Sequence, residues 1–178
     1  MADVIEHGGI GRRRRVRLAA GLAAALATAW LGGCASDTPT TGALPSLYLP
    51  LASDMAHLDV EAARDMISSY RRNHGAAPLT VDPQLQKLAE TEVAAMAAAD
   101  RPSRAQTVKA AVTSLGYKDV NANLSAGYHT LAEAFSGWRD SPPHNATMLD
   151  PKAARMGIAT AYAPGSKYKV YWALLTAQ

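Results

Sequence analysis

Between Gly137 and Leu149 the chain reads Gly-Trp-Arg-Asp-Ser-Pro-Pro-His-Asn-Ala-Thr-Met-Leu. Proline lacks the amide hydrogen that a helix interior needs, so a helix arriving here must stop, while a new one can start with proline in its first turn. Upstream, Leu131, Ala134, Phe135 and Trp138 recur at helical spacing, and Thr130 with Glu133 forms a capping box at the start. The stretch therefore prescribes an amphipathic helix, a Ser-Pro-Pro turn, and a second short helical turn opened by a lone histidine, His144.

The preceding chain alternates helices with short extended pieces. Val60, Ala63, Ile67 and Tyr70 mark one face of a helix, with Glu61, Arg64, Asp65 and Arg71 assigned to the other and Gly75 as a stop. An extended piece around Leu79 leads to Asp82, a cap with Pro83 at the first helical position. Leu85, Leu88, Ala89, Val93 and Met96 then form a buried stripe. A third helix is expected from a Ser103–Gln106 capping box, with Val108, Ala111, Val112 and Leu115 facing inward and Gly116 as its stop. Strands are expected over 121–128, 156–162 and 167–175, the last two joined through Pro164-Gly165. Helices segregated from a small antiparallel sheet give an α+β domain.

Residues 1–33 read as a signal peptide. Five arginines between positions 12 and 17 precede an apolar run over 18–30, shorter than the about 20 residues that span a bilayer. The run ends in Leu31-Gly32-Gly33-Cys34, which resembles a bacterial lipobox and implies that Cys34, the only cysteine, is lipidated. Residues 34–54, rich in Ser, Thr and Pro, read as the lipidated cysteine and a flexible tether, and 55–178 as the folded domain. Ala35, where aspartate would favour inner-membrane retention, points to the outer membrane, facing periplasm or cell surface, in a cell with two membranes. Removing 1–33 takes five of 18 basic and two of 15 acidic residues, leaving 13 of each and no net side-chain charge. Nothing in the mature chain calls for nucleic acid.

The motif around His144 resembles the G-W-x-x-S-P-x-H-x-x-x-[IML]-L signature of bacterial CAP proteins (cysteine-rich secretory proteins, antigen 5, pathogenesis-related proteins). Tyr70 to Ala89 is similar to the opening of the same domain. This resemblance implies an α-β-α sandwich with a small, mainly antiparallel sheet. It also implies a cleft in which two histidines and two acidic residues can hold a divalent metal. His144 matches one of these histidines. Where family members read G-E-N-[IL], this chain has Asn121-Ala122-Asn123-Leu124, so Ala122 replaces the glutamate, and after the second helix no histidine is present.

The cleft candidates are accordingly His144, Ser141, Asn123, His129 and Tyr128. No cofactor and no metal ligand set is expected, because zinc needs three or four protein ligands. A metal at His144 is the alternative, provided His129, Asp100 or Asp119 supplies the missing donors. His144 is expected to hydrogen-bond backbone groups or the Asp140 carboxylate and so hold the loop. As a catalytic candidate it stands alone: Ser141, His144 and Asp140 are adjacent in sequence, but a triad is a matter of geometry. The residues lean against an enzyme. The reading is a lipid-anchored envelope protein whose cleft binds a small apolar ligand, such as a lipid or sterol, or an envelope partner. A metal-dependent or hydrolytic protein and a purely structural lipoprotein are the alternatives.

Overall fold

A computed structural model describes residues 44–178. The expected signal peptide, Cys34 and positions 35–43 lie outside the described residues. A 3-10 turn (Ser46–Tyr48) is followed by α1 (Val60–Asn73), β1 (Thr80–Val81), α2 (Pro83–Ala99) and α3 (Ala105–Ser114). Then come β2 (Asn121–Ala126), α4 (Leu131–Asp140), α5 (Pro142–Leu149), β3 (Arg155–Tyr162) and β4 (Val170–Ala177). The sheet order is β1-β3-β4-β2, with β1 parallel to β3 and the other neighbours antiparallel. The fold is α+β, as expected.

Strand β4 explains the layering. Successive side chains point to opposite faces of a strand, and here both faces are covered. Tyr171, Ala173, Leu175 and Ala177 join a core with α2 and α3, while Val170, Trp172 and Leu174 join a second core with α1 and α4. In the second core Trp138 and Trp172 meet edge to face at 5.9 Å. Their indole N–H groups donate to Ser125 Oγ (3.1 Å) and the Tyr128 carbonyl (2.8 Å), so both rings are buried without an orphaned donor.

Local chemistry starts the helices, at Asp82 and Thr130 as read and at Asp59 beyond that reading. Asp59 accepts from Ala62 N, and Asp82 accepts from Gln84 N and Leu85 N, each at 2.9 Å. Thr130 caps α4, and the Glu133 carboxylate reaches back to His129 N at 2.7 Å. The Ser103–Gln106 box does not form. Arg104 precedes α3 and gives no side-chain cap. Ala111 and Leu115 face solvent, because α3 meets the sheet through Val108 and Val112, with Ala105 partly buried against the same core. Strand β2 ends at Ala126, where Gly127 turns at φ +96°. The folded chain also begins before residue 55. Leu51 is buried, its N–H donates to the His129 carbonyl at 2.8 Å, and Leu47 packs on the same core.

Helices α3 and α5 pack against the edge strand β2. Beyond the short β1, the Gln86 side chain accepts from Ile158 N (3.0 Å) and donates to Ile158 O (2.9 Å), completing the β3 edge as a strand would. The helix carrying Gln86 sits against Gly157, where a Cβ would lie 2.2 Å from the Leu85 carbonyl carbon.

Candidate functional site

His144 is set by the Ser-Pro-Pro segment. Ser141 precedes α5, Pro142 and Pro143 fill its first two positions, and His144 follows on the first turn. Burial pushes the imidazole below its ordinary pKa, and the positive end of the helix dipole acts in the same direction. The ring makes no hydrogen bond among the described residues. The role expected for it is thus corrected: Asp140 pairs with Arg139 at 2.8 Å instead, and no carboxylate among the described residues orients the imidazole.

The helix carrying His144 is held firmly. Asn123, completely buried in β2, donates from Nδ2 to the His144 carbonyl at 2.9 Å. Tyr70 Oη donates to Asn145 Oδ1 at 3.0 Å. At the far end, Arg71 is fully buried, not on the solvent face assigned to it. Its guanidinium donates to the carbonyls of Ala77 (2.6 Å), Met148 (2.6 Å), Asp150 (3.0 Å) and Ala153 (2.9 Å). Burial lowers its pKa, and the Asp150 charge partly offsets this.

A cleft of about 260 Å³ opens beside His144, bounded by α3, β2 and α5. Its polar wall comprises Ser103, Gln106, Lys109, Asn121, Thr147 and His144; the hydrocarbon is supplied by Ala105, Ala122, Leu124 and Pro143. Lys109 Nζ donates to Asn121 Oδ1 at 3.2 Å, and Asn121 Nδ2 to Asp150 Oδ2 at 2.6 Å. Sequence reasoning missed Gln106 and Lys109. Their spacing of three puts both on one face of α3, which was the available signal.

The five cleft candidates do not converge. Only His144 lines this cleft. Ser141 caps the turn without a side-chain bond, and Asn123 serves as a buried brace. His129 is exposed ahead of α4. Tyr128 lies across α4 at Gly137, where a Cβ would come within 2.1 Å of the tyrosine oxygen. That approach explains the glycine of the motif.

The residues do not fit the divalent metal implied by the resemblance. One imidazole faces the cleft, Ala122 has no donor, and the Lys109 ammonium opposes a cation. Of the substitutes considered, Asp100 is engaged by Tyr171 Oη and by Lys167 N at 3.0 Å, and Asp119 pairs with Lys152 at 2.9 Å. Among the described residues no group of three or more His, Cys, Asp or Glu side chains could hold a metal ion.

Residues 64–175 match the cysteine-rich secretory protein family, CAP. No curated protein matches the chain. Solved structures of similar fold include a cysteine-rich secretory protein from Staphylococcus aureus (15% identity, TM-score 0.58, 70% of this chain and 40% of that one). An extracellular protein containing an SCP domain from Bacillus anthracis is similar too (16%, TM-score 0.56, 67% and 40%). So is an outer surface protein from Borrelia burgdorferi (13%, TM-score 0.58, 66% and 90%). This chain thus spans about 40% of the length of the first two.

Proposed function

The chain belongs to the CAP family of cysteine-rich secretory proteins, and on that premise we propose that it is a lipid-anchored envelope protein that binds a polar envelope partner through the α3–β2–α5 cleft without catalysing a reaction. The observation that carries this reading is the composition of that cleft. Hydroxyl, amide, ammonium and a single imidazole line it, without the carboxylates a hydrolytic or metal site would use as base or ligand. Its hydrocarbon portion is small and contains neither methionine nor tyrosine, so a polar chain of cell-wall glycan or peptide suits it better than a lipid or sterol. The envelope location rests on the lipobox-like Cys34. Two proteins of similar fold, one extracellular and one an outer surface protein, agree with it.

The test uses the Cys34→Ser chain, secreted without an anchor, in cosedimentation with purified cell-wall sacculi. Binding weakened several-fold by Lys109→Ala or Gln106→Ala, with unchanged thermal stability, is the expected result. Binding of wild type and variants to the same extent would remove the cleft from the reading. A parallel zinc titration should give weak binding that His144→Ala leaves unaltered; tight binding lost in that variant would restore the metal reading. Fatty-acid labelling should disappear in Cys34→Ser.

A further inference from the structure

Single exposed apolar residues are ordinary on a protein surface, but here they are concentrated. Of the five exposed large hydrophobic residues among those described, four fall between positions 44 and 55: Leu44, Tyr48, Leu49 and Met55, the last 84% exposed. The same segment sends Leu47, Leu51, Ala52 and Ala56 into the core beside α1 and α4. It is therefore a fixed part of the domain, with one set of apolar side chains used for folding and another left in water. From Leu44 to Ala56 it has no lysine or arginine and one acidic residue, Asp54.

The position of this segment in the chain suggests what covers it. Cys34 stands ten residues before Leu44. Ten residues cannot span more than about 36 Å. A lipid on Cys34 would keep the segment at a bilayer surface at high effective concentration, so even weakly apolar contacts become occupied. Tyrosine and flanking aliphatic side chains suit the headgroup boundary, where one end of the ring is apolar and the other wet.

We propose that the 44–55 segment is a membrane-contacting surface. Leu44, Tyr48, Leu49 and Met55 rest on the lipid bilayer and orient the domain. The proposal rests on the lipid-anchor reading and adds to it a defined face of the domain. Lacking cations, the contact depends little on anionic lipid or salt.

Two reporters in the mature, anchored chain test it: Tyr48→Trp, and Lys87→Trp on α2, across the sheet from the segment. The protein is reconstituted in vesicles of phosphatidylethanolamine and phosphatidylglycerol with a portion of brominated phosphatidylcholine. Trp138 and Trp172 are fully buried, and their contribution is subtracted with the unsubstituted chain. The expected result is a blue shift and several-fold stronger bromolipid quenching for Tyr48→Trp than for Lys87→Trp, insensitive to salt. Adding Leu44→Ser, Leu49→Ser and Met55→Ser should bring it to the Lys87→Trp level. Equal weak quenching at both sites, with the acyl chain present on Cys34 by mass, would overturn the surface and leave the anchor. Without an acyl chain and without quenching on added vesicles, both readings fall; quenching without an acyl chain supports the surface alone. Concentration-dependent self-association of the Cys34→Ser chain without quenching would assign the face to a second copy.

Discussion

Arg71 is where charge misled sequence reading and spacing did not. It stands four residues after Ile67, on the buried stripe of α1, yet a guanidinium is ordinarily assigned to solvent. Four backbone carbonyls bring it inside, joining the end of α1 to the end of the His144 helix. Truncating it leaves carbonyls buried without donors, so Arg71→Met should cost about 3–5 kcal/mol in urea unfolding. Arg71→Lys should recover little, because an ammonium cannot reproduce the planar fork. His144 gives a prediction of opposite character. Its pKa is lowered in the folded protein by burial, so the unfolded chain binds the proton more readily. Its contribution to stability is full above the ordinary histidine value of about 6.5 and is lost as pH falls through the folded value. Urea midpoints measured between pH 7.5 and pH 5 should fall for the wild type and fall less for His144→Gln.

At the scale of elements, helices with a wide apolar stripe and a polar cap were legible, whereas α3 was only partly so. Asp82, Thr130 and the leucine spacing of α2 left little freedom, and the structure uses each as read. Around α3 the apolar residues outnumber the buried sites available for them: Val108 and Val112 meet the sheet, while Ala111 and Leu115, at the helix end, are exposed. Periodicity reveals a face but not the width of the partner surface. Gly157 shows a different limit, since a glycine within a strand does not disclose which backbone approaches it. Here it is the Leu85–Gln86 turn of α2. Gly157→Ala must push α2 away from β3, loosening the Gln86 bonds to Ile158, and should cost about 2–3 kcal/mol or more by thermal unfolding.

For the whole molecule, the α+β architecture and family were readable from two motifs, and the start of the domain was not. Proline and serine between positions 44 and 54 look like tether, yet Leu47 and Leu51 pack beneath them. The two cores share β4, so they should melt together. Ile67→Ala on one side and Leu85→Ala on the other should each lower the midpoint by about 2–5 kcal/mol equivalent. Tryptophan fluorescence and helical circular dichroism should remain coincident in both variants. Separate transitions would show that the cores are independent. The way β3 ends has a bearing on crowding. Open strand edges seed chain-to-chain pairing wherever molecules meet often. With the Gln86 amide holding the backbone of Ile158 beyond the two residues of β1, a neighbouring chain finds that length of β3 already satisfied.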